Sequence, residues 1–164
     1  MSTTLKHGST SSVIKTLESF LSEANAHVTF EEAVKDIPAR LLGVIPEKLP
    51  YSIWQLVEHI RITQWDILEF SKGPDHKSPR WPDEYWPKET APAAAGDWEK
   101  ALKQIAADRK TFIALLRKAG EEIHTPFSYG DGQTLFREAI LIVDHTSYHT
   151  GEIVAIRRLL GCWR

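Results

Sequence analysis

The sequence predicts an all-α protein built as a helical bundle. Four stretches place apolar residues three and four positions apart, which is the spacing of a helix with one buried face. Hardly any stretch alternates apolar and polar residues as a half-buried strand does. Helices that each bury one apolar face pack most simply against one another. With 164 residues, the chain is predicted to form a single domain over residues 1–164.

The N-terminal part of the chain contains two predicted helices. Residues 1–10 are polar and are expected to form a loose N-terminus. Residues 13–25 carry apolar side chains at helical spacing and predict the first long helix. Thr29 followed by Glu32 has the pattern of a capping box, in which each residue satisfies a free backbone N–H of the other. This pair predicts a short helix that ends before Pro38.

A second long helix and an irregular segment follow. Ser52 is suited to cap a helix that runs to Lys72 and ends at Gly73. The segment 73–96 has too many prolines for a helix interior and too many aromatic residues for a free linker. We therefore expect an ordered crossover that is held in place by three aromatic side chains. These are Trp81, Tyr85 and Trp86.

Two further long helices complete the predicted bundle. Asp97 is expected to cap a third helix that ends near Gly120. After a turn over residues 126–133, Thr134 is expected to begin the last helix, which runs to Leu160 with Gly161 at the C-terminal cap position. Glycine is common just beyond the end of a helix because it adopts the left-handed conformation without a steric cost.

Composition and charge exclude several classes of protein. An apolar content of 42% excludes a predominantly disordered chain, and a single cysteine excludes a disulfide framework. No run approaches the roughly 20 apolar residues that a membrane span needs. The net charge is −2 and the two signs are interspersed, so we expect no nucleic-acid partner. The chain is predicted to be a cytoplasmic protein without a membrane partner.

Three histidines stand out as candidate metal ligands. His145 and His149 lie one turn apart on the apolar face of the last helix, so both imidazoles point into the bundle. Buried imidazoles need polar partners, which are either neighbouring hydrogen-bonding groups or a divalent metal. His59 lies midway along the second helix and also faces inward. Three histidines without a fourth protein ligand are typical of an open, catalytic type of metal site.

These segments resemble the DinB/YfiT-like superfamily. HTSYHTGEIVAIRR, residues 145–158, is similar to a family stretch of the form HxxYHxGQI that supplies two metal ligands. YSIWQLVEHIRITQWDIL, residues 51–68, looks like the segment that carries the third ligand histidine. The run WPDEYWP, residues 81–87, resembles a feature of one DinB-like subgroup. The likeness extends from about residue 29 onward.

The resemblance implies a more detailed fold and a metal site. It implies an up-and-down four-helix bundle with a long crossover between helices 2 and 3, and it favours a homodimer. It also implies that His59, His145 and His149 bind one divalent metal ion. Zinc is the first expectation for this ion, and three imidazoles also suit nickel, iron or manganese.

The expected function combines the charge of such a site with the resemblance, which implies thiol-transferase chemistry. Three neutral imidazoles leave the charge of a divalent metal uncompensated, so a water or thiol bound to it becomes more acidic. We expect a metal-dependent thiol transferase or hydrolase whose nucleophile is metal-bound water or thiolate. Its substrate would be a small molecule, such as a low-molecular-weight thiol. The alternatives are a non-catalytic metal-binding or stress-response protein and a metal-free helical interaction domain.

Several neighbouring residues are candidates for supporting the site. Gln55 lies one turn from His59, where it either orients a bound water or simply packs. Asp144 precedes a ligand and is a candidate for holding it by a hydrogen bond. Glu152 stands where the family commonly has glutamine, which changes the local charge. Tyr148 lies off the ligand face and is expected to pack rather than to transfer protons.

Overall fold

The protein is all-helical over residues 8–163, the part of the chain that the computed structural model describes. Two 3-10 turns, Ala39–Leu41 and Gly120–His124, accompany the helices, and the only β-type pairing in this range is one bridge between Pro126 and Thr134. The predicted fold class is therefore confirmed. The helices are α1 Gly8–Ser22, α2 Phe30–Val34, α3 Ile53–Lys72, α4 Asp97–Ala119 and α5 Leu135–Leu159.

Helix α1 begins earlier than predicted. Of the N-terminal segment expected to be loose, residues 1–7 lie outside the described residues, whereas residues 8–10 belong to the helix. The Thr10 hydroxyl is buried and donates a 2.7 Å hydrogen bond to Glu121 Oε2. This contact with a residue more than a hundred positions away holds the polar first turn, and the local pattern of apolar residues does not reveal it.

Capping boxes set the first residues of α2 and α3. Thr29 Oγ1 accepts from the backbone N–H of Glu32, and Glu32 Oε2 accepts from that of Thr29. In the same way, Ser52 Oγ accepts from the N–H of Gln55, and Gln55 Oε1 accepts from that of Ser52. Both helix starts agree with the sequence prediction, because each box depends only on residues that are three positions apart.

The start of α4 differs from the prediction. Asp97 was expected to be the cap, but it is the first helical residue, and Gly96 caps the helix with a φ of 93°. The Asp97 carboxylate reaches back to accept from the Ala94 N–H at 2.8 Å, so it stabilises the turn before the helix. The last helix begins after Thr134 and is followed by Gly161 with a φ of 67°, as predicted.

The core consists of two apolar clusters along the helices. The first joins α2, the N-terminal halves of α3 and α4 and the C-terminal half of α5, with Ile60 and Ile153 among its members. The second joins α1, the C-terminal halves of α3 and α4 and the N-terminal half of α5, with Ile67 and Ile142 among its members. Residues 143–152 of α5 therefore lie where the two clusters meet.

The four long helices contact one another as a bundle requires. Helix α3 packs on α4 and α5, and α1 packs on the same two helices. The up-and-down order of the helices and the crossover between α3 and α4 stay predictions. No helix within residues 8–163 combines the length and the apolar character that a membrane span requires.

We predict that Ser52→Ala destabilises the fold by about 1–2 kcal/mol, the usual effect of losing an N-cap. Ser52 is fully buried, and its hydroxyl also donates to the Thr90 carbonyl at 2.5 Å, so the substitution loosens both α3 and the end of the segment 73–96. Urea denaturation measures the change. Ser22→Ala is the control, because that exposed hydroxyl bonds only to its own helix; equal midpoints for the two variants would contradict the prediction.

Candidate metal centre

The three predicted histidines come together between α3 and α5. His59 is supplied by α3, and His145 and His149 lie one turn apart on α5. One nitrogen of each ring lies within 4.8 Å of the other two. His59 and His149 are buried and His145 is half-buried, so the cluster is inside the bundle with one edge toward solvent. The convergence that the sequence predicted is present in the structure.

The spacing of the nitrogens suits a metal ion. The Nε2 atoms of His59 and His145 are 3.0 Å apart. Two nitrogens of a tetrahedral zinc site, with Zn–N bonds of about 2.0–2.1 Å, lie roughly 3.3 Å apart. The three ring centroids are separated by 4.5–4.8 Å, and the rings meet edge to face. One nitrogen of each ring therefore lies close enough to the other two for a shared ion.

His59 is oriented by a backbone carbonyl of the segment 73–96. Its Nδ1–H donates a 2.9 Å hydrogen bond to the carbonyl oxygen of Tyr85. A carbonyl oxygen only accepts, so this bond places the proton on Nδ1 and leaves a lone pair on Nε2. Nε2 is the atom that faces His145. The tautomer needed for metal binding is thus selected by the protein itself.

A stack of aromatic rings covers one face of His59. The indole of Trp86 lies 3.8 Å from the imidazole, with an angle of 10° between the planes. Tyr51 stacks on the other side of Trp86 at 4.0 Å and 11°. The three rings form a column that keeps water from this face of the ligand. Trp86, which was expected to help hold the segment 73–96 in place, thus packs against His59.

Tyr85 is held in place by a buried carboxylate. Its hydroxyl donates to Asp66 Oδ2 at 2.6 Å, and His76 Nε2 lies 2.7 Å from Asp66 Oδ1. Burial, followed by the hydrogen bond to Asp66, raises the pKa of the Tyr85 hydroxyl, which therefore remains a donor. Asp66 on α3 thereby fixes the residue whose carbonyl orients His59.

His149 has a carboxylate partner. Its Nδ1 lies 2.6 Å from Glu152 Oε2, one turn further along α5. An ionised carboxylate only accepts, so the imidazole donates from Nδ1 and its Nε2 is free for a metal. Among the residues named from the sequence as supports, Glu152 is the one that contacts a ligand histidine directly.

The other two candidate supports lie elsewhere. The side-chain amide of Gln55 is occupied by the capping box and by a 3.3 Å hydrogen bond to the Pro87 carbonyl, so it ties the segment 73–96 to α3. Of the two roles considered for Gln55, this placement agrees with packing. Asp144 is exposed, and within the described residues no hydrogen bond joins it to a ligand histidine. Its place just before His145 on the helix turns its side chain away from the ligand face.

Burial keeps two of the imidazoles neutral. It lowers the pKa of His59 to about 4, against the raising effect of the Tyr85 carbonyl. Burial, followed by the neighbouring histidines, lowers the pKa of His145 to about 3. Neutral imidazoles have the lone pair that a metal requires. The donor set, the selected tautomers and the 3.0 Å approach of two nitrogens therefore all fit a divalent metal ion.

Two aromatic side chains differ from the expectation that they pack. Trp81 was expected to help hold the segment 73–96, but it is 70% exposed, with its ring 6.5 Å from that of His59. Tyr148 is 66% exposed, with its ring 5.0 Å from that of His149. Each ring lies beside a ligand histidine while most of its surface faces water. Sequence spacing does not distinguish these rings from the half-buried, stacked Trp86, because all of them lie beside helix ends or off the apolar face.

Two residues that support the site were not found by sequence reasoning. Tyr51 stacks on Trp86, and His76 pairs with Asp66. Tyr51 directly precedes the cap of α3, which was a usable signal for its position near the site. His76 lies in an irregular segment whose path is not encoded by any local pattern.

Comparison with known proteins agrees with this geometry. A family model described as the DinB superfamily matches residues 24–153, which include all three histidines and the segment that orients His59. The resemblance seen in the sequence is therefore confirmed. No curated protein and no solved structure gives a significant match.

We predict that Trp86→Ala lowers the free energy of unfolding by about 3 kcal/mol, the lower end of the range for losing a packed tryptophan. The substitution removes the central ring of the column between Tyr51 and His59. Chemical denaturation measures the change, and Trp81→Ala is the matched control because it removes an exposed indole from the same segment. Similar losses for the two variants would contradict the assigned role of the stack.

Proposed function

This chain belongs to the DinB superfamily, and from that premise we propose that it is a metal-dependent thiol transferase or hydrolase that activates a small thiol or water. The observation that carries the proposal is the cluster of His59, His145 and His149. Within residues 8–163, their ligand atoms form a group that contains three histidines and no carboxylate. Structural zinc sites close with four protein ligands, whereas catalytic sites leave a position open.

The proposed chemistry depends on the charge of this site. A divalent metal held by three neutral imidazoles keeps its full charge and lowers the pKa of a water or thiol bound to it. Zinc is the metal we propose, because its tetrahedral geometry suits three nitrogens and one open position. Nickel, iron and manganese are the alternatives.

The protein's own residues supply orientation and a dry environment. The Tyr85 carbonyl and the Glu152 carboxylate each accept a hydrogen bond from the Nδ1–H of one histidine, which leaves Nε2 of His59 and of His149 as the nitrogen available to a metal. The Glu152 carboxylate makes the His149 ring a stronger electron donor, as carboxylate partners of metal-binding histidines do. Trp86 excludes water from one face of His59.

We also propose a four-helix bundle in which residues 73–96 cross over, so that α3 and α4 run in the same direction. Two contacts support it: the N-terminal halves of α3 and α4 share one apolar cluster, and Gln64 near the middle of α3 bonds to the Ile105 carbonyl near the middle of α4. The proposal includes a homodimer, a cytoplasmic location and a low-molecular-weight thiol as co-substrate, all of which come from the sequence prediction.

A non-catalytic metal-binding or stress-response protein is the alternative function. The same three histidines would serve it, so the distinction depends on turnover. We expect the metal-loaded protein to accelerate the consumption of a small thiol, such as cysteine, by an alkylating electrophile. The chelated protein and the His149→Ala variant should not do so. A fully metal-loaded protein without turnover would favour the non-catalytic alternative.

We predict that His149→Ala removes most of the bound metal and leaves a folded protein. The variant keeps only His59 and His145, which come from different helices, and two imidazoles without a common helix bind a metal weakly. Elemental analysis of the dialysed protein gives the metal content, and circular dichroism gives the helix content.

His124→Ala is the matched control for that measurement. His124 is exposed, and its ring lies beside Phe136, away from the cluster. Its loss should leave the metal content unchanged. Equal metal in wild type and His149→Ala would rule out the three-histidine site and, with it, the proposed enzyme.

We predict that chelation lowers the melting temperature but leaves the protein helical. The two apolar clusters do not depend on the ligands, so the bundle keeps its core when the metal is removed. A ligand that binds only the folded state raises stability by mass action, and its removal reverses that increase. Far-ultraviolet circular dichroism before and after chelation measures this, and loss of the helical signal would contradict it.

A further inference from the structure

Two exposed aromatic side chains lie beside histidines of the cluster. Trp81 and Tyr148 are 70% and 66% exposed. Single exposed aromatic residues are common on protein surfaces and need no explanation. These two differ because each ring lies beside a ligand: Trp81 against His59 and Tyr148 against His149. They approach the cluster from different elements, the segment 73–96 and helix α5.

The surface beside Tyr148 continues as an apolar groove. Glu152, Ala155 and Ile156 follow Tyr148 on one face of α5, and they line a groove together with residues 49–51. Glu152 is the one charged side chain in that lining, and its carboxylate is bonded to His149. An anionic group would be repelled there, whereas an uncharged flat group would pack against rings and aliphatic side chains.

We propose that Trp81 and Tyr148 are specificity-determining residues that select a substrate with an uncharged aromatic or similarly flat apolar group. This inference rests on the proposed function, since it requires an open metal position between the two rings. The reacting atom of the substrate lies at that position, and its flat group packs on the exposed faces of Trp81 and Tyr148. The pair thus determines which molecules reach the site and contributes little to the stability of the fold.

The test compares imidazole with 4-phenylimidazole, two metal ligands that differ by one flat ring. Isothermal titration of the zinc-loaded protein should show three- to tenfold tighter binding of 4-phenylimidazole, the gain expected for one or two aromatic contacts. Trp81→Ala and Tyr148→Ala should each reduce that preference while leaving imidazole affinity, metal content and melting temperature unchanged. Phe20→Ala, which removes an exposed ring from α1, is the matched control and should keep the preference.

The outcomes separate this inference from the proposed function. If the zinc-loaded protein binds neither compound, the open metal position is absent and both proposals are overturned. If it binds both equally, only the selection by Trp81 and Tyr148 is overturned. Sedimentation of the same variants provides a further check, because a change from dimer to monomer in Trp81→Ala or Tyr148→Ala would assign these rings to a subunit contact and overturn the inference.

Discussion

The site depends on one constraint, which is that an imidazole buried in an apolar core must have polar partners. His59 is 2% exposed and satisfies Nδ1 with the Tyr85 carbonyl, and among residues 8–163 its other nitrogen has His145 as its hydrogen-bond partner. Two nitrogens that face each other can share one proton or one metal ion. With neither between them, their two lone pairs would repel each other. The position of the Tyr85 carbonyl and the placement of α5 both meet this requirement.

The segment 73–96 is therefore part of the site and more than a connection between helices. Tyr85 contributes its carbonyl to His59 and its hydroxyl to Asp66, while Trp86 covers the ring. Gln55 and Ser52 bond the carbonyls of Pro87 and Thr90, so the end of the segment is fastened to the start of α3. The same helix thus supplies a ligand and the groups that hold the ligand's partner.

The sequence was informative for the histidine pair on α5 and for the two capping boxes, where the contacts are local. His145 and His149 share a helix face because of their spacing, and both capping boxes join residues three positions apart. The Tyr85 carbonyl that accepts from His59 could not be predicted from the sequence, because every residue has a backbone carbonyl. Trp81 and Trp86 looked equivalent in sequence, yet one is exposed and the other is stacked, since the path of an irregular segment is decided by long-range contacts such as that between Tyr85 and Asp66.

The histidines lie between the two apolar clusters, so the geometry of the site depends on how both clusters pack. Helices α3 and α5 run through both clusters, so the gap between His59 and His145 is set by side chains at both ends of the bundle. A cavity opened at Ile53 or at Ile67 would let one end of the helix pair close and the other splay. The separation of His59 and His145 would then change without a substitution beside either histidine. Under the proposed function, substitutions in either half of the core are therefore restrained by metal affinity as well as by folding stability.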